Sequence, residues 1–202
     1  MGARGRFIVF EGGDGGGKST QARLLASDLN ALLTREPGGT PLGERLRDAL
    51  LDPATGEIGS RAEALLMAAA RAQHVTEVIR PTLESGRHVV CDRYAHSSIA
   101  YQSGGRGLEF REIEGLSDWA TEGLWPDLVI QLEVATAVAV ARLGDKLDRF
   151  EAAGTDFHAR VDQTYRDLAA RNADRWVVIS GDGSILEVRD RVRAAVRERL
   201  AV

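Results

Sequence analysis

EGGDGGGKST, residues 11–20, packs five glycines into the six positions from 12 to 17 and then runs straight into Lys-Ser-Thr. Glycine costs backbone entropy on folding, so a chain concentrates it where no side chain fits or where φ must be positive. RFIVF, residues 6–10, is β-branched and aromatic and reads as a buried strand. After Lys18, STQARLLASDL carries Ala22, Leu25, Ala26 and Leu29 at helical spacing. The order is therefore strand, glycine loop, helix. Gly12, Gly17, Lys18 and Ser19 satisfy the pattern G-x-x-x-x-G-K-[ST]. In such a loop the backbone N–H groups of Gly12, Gly13, Asp14, Gly15, Gly16 and Gly17 turn inward around an anion, and the helix opening at Lys18, Ser19 and Thr20 adds its dipole. Lys18 can reach the outer phosphates and the Ser19 hydroxyl can ligate Mg²⁺. The expected ligand is a nucleoside triphosphate. The fate of its γ-phosphate has to be read from the rest of the chain.

The 202 residues suit one domain with a substantial core, and 44% hydrophobic with 28% charged residues is ordinary for a soluble enzyme. A net charge of −4 gives no electrostatic footprint for nucleic acid. The basic run RDRVRAAVRERL near the end also carries acids and reads as a solvated helix face. The one cysteine, Cys91, rules out an internal disulfide and fits a reducing, cytoplasmic setting. It lies inside HVVCD and reads as a small core residue. No signal peptide is expected, because MGARG gives way to strand at once. Arg6 stands where a myristoylation motif needs Ser or Thr. No apolar run is long enough to span a membrane.

Strand-like runs occur at 6–10, about 31–34, 88–91, 128–132 and 176–179, with helical patterns between them. That alternation predicts a parallel sheet covered on both faces. The spacing predicts a long helix over 60–84 that Pro81 kinks or ends, a second over 111–123 and a last one over 184–200. LGDKLDRFEAAGTDFHAR, 143–160, is charged, has a glycine near each end, and reads as a mobile lid between two helices. No repeat or linker divides the chain, so residues 1–202 are expected to form one domain.

Four further segments carry chemistry. HVVCDRY, 88–94, is an apolar strand ending in Asp92, where a phosphate-loop enzyme places a second Mg²⁺-directed carboxylate. An Asp capping the next turn has the same appearance. Arg93 could clamp a phosphate. TREPGG, 34–39, puts Arg35 and Pro37 in a loop at the carboxyl edge of the sheet, either as a plain turn or as a phosphate or sugar contact. In EALLMAAARAQH, 63–74, Glu63, Met67 and Arg71 share one helix face. Arg71 on an apolar helix needs either an internal acid or a flat polar ligand such as a base, with Met67 packed over it. The lid gathers Arg142, Lys146, Arg149 and Arg160 among interleaved acids. It is either a solvated loop or a cover that brings arginine to a transferring phosphoryl group and expels water. There is no N-K-x-D run for guanine and no Cys/His cluster for zinc. A kinase acting on a monophosphate needs no general base, because its acceptor is already mostly a dianion, with a second pKa of about 6.

Taken in order, these segments resemble the thymidylate kinase family over nearly the whole chain. DRYAHSSIAYQ, 92–102, resembles that family's D-R-[YH]-x-x-S-x-x-A-Y-Q signature. TREPGGTPLGERLR, 34–47, and RAQH, 71–74, are similar to its bacterial members. The resemblance implies a three-layer α/β phosphate-loop fold with a five-stranded parallel sheet, usually as a homodimer. It implies Mg²⁺-dependent transfer of the γ-phosphoryl of ATP to dTMP. Gly12 to Thr20 would cradle ATP, with Ser19 and Asp92 on the metal. Asp14 would approach the sugar 3′-hydroxyl or the metal. Arg93 and Arg35 would hold the acceptor phosphate beside Pro37. Arg71 would donate to the thymine carbonyl, Ser98 and Gln102 would contact the base edge, and Tyr101 would reject a ribose 2′-hydroxyl. SGDGS, 180–184, would lie by adenine. Some members carry an arginine in the loop; here those positions are Gly15 and Gly16. LDRFE, 147–151, resembles the lid of the subtype that supplies the cation from there, which makes Arg149 the expected transition-state arginine with Arg142 beside it. Met67 departs from the Phe that many members stack on the base, and the first crossover is short. Two other readings stand beside this one. One is a kinase for another monophosphate or for a deoxynucleoside, with Glu11 as general base. The other is a nucleotide-binding regulator without turnover.

Overall fold

The computed structural model describes residues 3–142 and 148–201. The five expected strands form, each within about a residue of its expected limits: β1 Phe7–Glu11, β2 Leu32–Arg35, β3 Val89–Asp92, β4 Leu128–Glu133 and β5 Trp176–Ser180. They make one sheet in the order β2-β3-β1-β4-β5, with all pairs parallel. β1 is buried throughout, as a central parallel strand must be. Its alternate residues feed opposite layers. Ile8 and Phe10 pack with Ala22, Leu25 and Ala26 of α1 (Lys18–Asp28) and with Val188, Val192 and Val196 of the last helix. Phe7 and Val9 face the other layer, with Val75, Ile79, Leu83 and Tyr94.

That second layer holds α2 (Pro41–Leu51), α3 (Ser60–His74), α4 (Arg80–Glu84), α5 (Ala95–Ser98) and α6 (Phe110–Thr121). Thr40 caps α2 by accepting from Gly43 N at 2.9 Å, with Pro41 in the first turn. The chain does not stop at Pro81. It passes from α3 through a π-helical turn at Val75–Ile79 directly into α4, and Pro81 sits in the first turn of α4, where its missing N–H is tolerated. A second π-helical turn, Ile99–Gly105, continues α5. α7 (Thr136–Arg142) follows β4, then α8 (Thr155–Arg171), β5 and α9 (Ile185–Leu200). α9 opens on a capping box between Ser184 and Glu187.

The lid is shorter than expected. Residues 155–160 already belong to α8, because Phe157 and Val161 sit one turn apart and are both buried against the second layer. Lys146 lies outside the described residues. No helix among the described residues is long and apolar enough to cross a membrane.

Candidate active site

The glycine loop sits at the carboxyl ends of β1, β3 and β4, where parallel sheets bind ligands. A Cβ on Gly12 would lie 2.5 Å from the Leu132 carbonyl oxygen, and one on Gly15 would run into the Ala139 carbonyl. Both residues also have positive φ, 122° and 74°. The glycine count therefore has a steric cause: β4 and α7 press on the loop from one side while the other side stays open. A cavity of about 510 Å³ opens there.

Of the residues expected at the site, most line this cavity. Asp14, Gly15, Gly17, Lys18, Ser19 and Thr20 form its floor. Arg35, Pro37, Met67 and Arg71 form one wall, and Asp92, Arg93, Ser98, Tyr101 and Gln102 another. Arg142 reaches in from α7, with Nη1 3.4 Å from the Gly15 carbonyl oxygen. Gly12, Gly13 and Gly16 support the loop from behind; the Gly12 carbonyl accepts from Arg93 Nη1 at 3.1 Å. Arg149 does not line the cavity. Its guanidinium donates to the Leu50 carbonyl at 2.8 Å and to Glu63 at 3.3 Å. Arg160 is equally occupied, donating to the Gly104 and Gly105 carbonyls at 3.2 and 2.8 Å. The 180–184 segment does approach the loop: a Cβ on Gly181 would stand 3.1 Å from the Gly16 carbonyl oxygen.

Buried charge organises the cavity. Lys18 is 6% exposed and folds back to donate to the Gly13 carbonyl at 2.6 Å. Burial, then the neighbouring Arg93 charge, pulls its ammonium down to about 8, against the opposing pull of Asp14 and Asp92. Arg93 has φ 69°, an uncommon value for a residue with a side chain. That backbone aims its guanidinium at Asp14 (2.5 Å), Tyr101 Oη (3.1 Å) and Ser97 Oγ (3.1 Å). Tyr101 donates to Asp14 at 2.8 Å. Burial alone would raise the Asp14 carboxyl, but the Arg93 guanidinium and then Lys18 hold it well below the usual carboxylate range. Arg35 pairs with Glu44 at 2.8 Å and remains half exposed.

The two readings of Arg71 turn out to be compatible. Its Nε donates to Glu36 at 2.7 Å, and its Nη2 donates to Ser98 Oγ at 2.8 Å and the Tyr94 carbonyl at 3.3 Å. His74 also pairs with Glu36, at 3.0 Å, and with Thr34 at 2.7 Å. The salt bridge thus locks the guanidinium in plane and leaves Nη1 buried with no partner among the described residues. Gln102 is the complement. Its Nε2 donates to Glu63 at 3.1 Å, and its Oε1 is buried without a partner. Met67 is half-buried in the wall between them.

Ser19 Oγ donates to Asp92 Oδ2 at 2.5 Å, and Asp92 Oδ1 is buried without a partner among the described residues. One hydroxyl and one carboxylate suit Mg²⁺, which keeps several waters and takes phosphate oxygens rather than an all-protein cage. No group of three His, Cys, Asp or Glu among the described residues forms such a cage. Glu11 is not available as a base: it is fully buried and accepts from Tyr94 N (3.0 Å), Ser97 N (3.1 Å), Ser97 Oγ (2.6 Å) and Tyr165 Oη (2.8 Å). Burial raises its carboxyl, the Ser97 hydrogen bond and the Arg93 charge opposing. It is the anchor that fixes the turn after β3.

Sequence reasoning missed Glu36, Arg47, Ser97 and Phe150, all of which line the cavity. Arg47 was within reach: it lies on α2 in the segment that carries the family likeness, and it donates to the Pro37 carbonyl at 2.9 Å.

The thymidylate kinase family model matches residues 10–192. The chain belongs to the thymidylate kinase family. A thymidylate kinase of Cutibacterium acnes is 49% identical over 197 residues, covering 95% of this chain and 96% of that protein. One from Neisseria gonorrhoeae is 46% identical over 194 residues, covering 93% and 94%. The crystal structure of thymidylate kinase from Ehrlichia chaffeensis superposes with a TM-score of 0.81 at 32% identity, covering 96% of this chain and 99% of that one. Family membership makes the chain a phosphotransferase with a phosphate-loop α/β fold, and it bears out the likeness carried by residues 34–47 and 92–102.

Proposed function

We propose that the protein transfers the γ-phosphoryl of ATP to dTMP, giving dTDP and ADP. The observation that carries this reading is the pair of buried, unpartnered polar atoms on two residues that line the cavity. Arg71 Nη1 offers a donor and Gln102 Oε1 an acceptor. A thymine edge presents the complement, the O4 acceptor beside the N3–H donor. Cytosine and adenine present the opposite order and would leave both protein atoms unsatisfied, which is costly in a buried site.

The other roles follow from position. The loop from Gly12 to Thr20 holds the ATP phosphates with Lys18. Arg93 and Arg35 take the acceptor phosphate by exchanging Asp14 and Glu44 for it, with Pro37 as the wall. Asp14 and Tyr101 face the sugar, and Met67 packs on the base. Ser19 and Asp92 would hold Mg²⁺, which neutralises charge on the transferring group when bound. Arg142 already stands at the loop, and Arg149 is delivered by lid movement. With the acceptor a dianion, catalysis is positioning plus charge neutralisation.

A homodimer is supported by α3 and α6. They pack side by side, yet Leu65 is 58% and Trp119 79% exposed, and a second copy is the simplest cover. The test of function is ADP release with ATP and Mg²⁺ against dTMP, dUMP, dCMP, AMP and thymidine in parallel. Strongest turnover with dTMP and none with thymidine supports the reading; preference for dCMP or AMP overturns it. Silence with every acceptor, despite ATP binding, points to the regulator.

A further inference from the structure

Glu63 is fully buried, yet it does not line the cavity and is not a candidate for contact with substrate. It is nevertheless as heavily engaged as Glu11, with four accepted hydrogen bonds, and here three of the four come from arginine. Its Oε1 accepts from Gln102 Nε2 at 3.1 Å and from Arg106 Nε at 3.1 Å. Its Oε2 accepts from Arg106 Nη2 at 3.0 Å and from Arg149 Nη2 at 3.3 Å. Arg106 is in turn stacked against Phe157, with its guanidinium carbon 4.8 Å from the ring centroid, and against Phe150 at 5.6 Å. Two guanidinium groups thus hold Glu63 in one place as a group that only accepts.

A side-chain amide can present either its oxygen or its NH₂, and only its partners fix which way it points. We infer that Glu63 is a specificity-positioning residue: by accepting from Gln102 Nε2 it leaves Oε1 as the free end of the amide, buried and unpartnered beside the cavity, so that the pocket selects a base carrying an N–H at that place. Without the carboxylate, Gln102 could turn its NH₂ to the cavity and meet the ring-nitrogen acceptor of cytosine. Discrimination against cytosine then depends on a residue that never touches the base. The inference rests on the dTMP reading above.

The test is a double-mutant cycle on selectivity. (kcat/KM) for dTMP over dCMP is measured for the wild type, Glu63→Gln, Gln102→Ala and the double variant. The expected result is a fall in the ratio of about tenfold or more for Glu63→Gln, on the scale set by one buried group paired rather than unpaired. Gln102→Ala should lose a similar amount, and Glu63→Gln should add little in that background. Glu63→Asp, which still only accepts, should keep most of the ratio even if total activity drops. A purely structural role would lower activity with both substrates alike; an unchanged ratio in Glu63→Gln overturns the inference while leaving dTMP phosphorylation intact. Failure of the wild type to use dTMP would instead sink the functional reading. Should Glu63→Gln not fold, competition by N3-methyl-dTMP against the wild type serves: it should bind far more weakly than dTMP, and equal binding overturns the inference.

Discussion

Lys18 links the chemistry of the site to pH. Its ammonium is drawn down to about 8 by burial and by Arg93, so the ligand-free protein loses that charge in mildly alkaline solution. ATP phosphates favour the charged form and raise its pKa on binding. ATP binding should therefore take up a proton above pH 8, and affinity should fall there by as much as about tenfold per pH unit. Titration calorimetry in buffers of different ionisation enthalpy reads the proton directly; an affinity independent of pH from about 7 to about 9.5 would contradict it. Lys18→Ala should cost on the order of 10²–10³ in kcat, as loss of an aligned transition-state donor does. On the proposed role of Arg149 as transition-state cation, Arg149→Ala should lower kcat far more than it raises KM for dTMP, since in this structure its guanidinium is turned to Leu50 and Glu63 and not to the cavity. Equal losses in both would place Arg149 in ground-state binding. At this scale the sequence was informative wherever a residue acts through local order, as Lys18 and Asp92 do. It was silent on Glu36, and it put Glu63 on the face of Met67 and Arg71 without showing what Glu63 holds, because their partners Arg71 and Gln102 lie 35 and 39 residues away along the chain. It also gave no sign that Arg93 takes a left-handed backbone, since that conformation is imposed by Glu11 gripping the turn behind it.

The π-helical turn Ile99–Gly105 and α8 act as one element. The Gly104 and Gly105 carbonyls accept from Arg160, and Phe157 lies so close that a Cβ on Gly105 would clash with its ring. Gly105→Ala should destabilise by about 1–3 kcal/mol through overpacking and should raise KM for dTMP, because Tyr101 and Gln102 ride on the same turn. A urea midpoint equal to the wild type's, with normal KM, would show that the helices can part there at no cost. Strands and long helices were legible because apolar periodicity and flanking glycines agree for each of them. Two boundaries were not. The helical run does reach Glu84 as its spacing predicts, but Pro81 left open a kink or an end there, and tertiary packing of Val75, Ile79 and Leu83 under the sheet carries the helix past it. The end of the lid looked like loop because Thr155–Arg160 is polar on most faces, and only the Phe157 contact with distant residues makes it helix.

For the molecule as a whole, two groups make the fold sensitive to acid. His96 is enclosed by Trp125 and Trp176, and burial, then the Arg71 charge, pushes its imidazole down to about 3. The unfolded chain takes up that proton near pH 6.5, the fold does not, and so stability should fall as pH drops from 6.5 towards 3. The slope from this one residue is at most about 1.4 kcal/mol per pH unit. Asp14 adds to it at the low end, since its depressed carboxyl contributes stability above the unfolded value that is lost as pH falls below it. Urea midpoints measured from neutral to acid should show this decline, and His96→Gln should flatten its upper part; a decline unchanged by the substitution would assign it elsewhere. The exposed Leu65 and Trp119 give a separate expectation: Trp119→Glu should convert a dimer into monomers by light scattering, whereas a wild type that is already monomeric would remove the second copy from the account.

Phosphorus NMR of the protein with ATP, Mg²⁺ and dTMP follows every product at once. Growth of dTDP and ADP resonances in equal amounts, without orthophosphate, is the predicted result. Orthophosphate accumulating while dTMP stays unchanged would mean that the cavity beside the loop does not receive the acceptor.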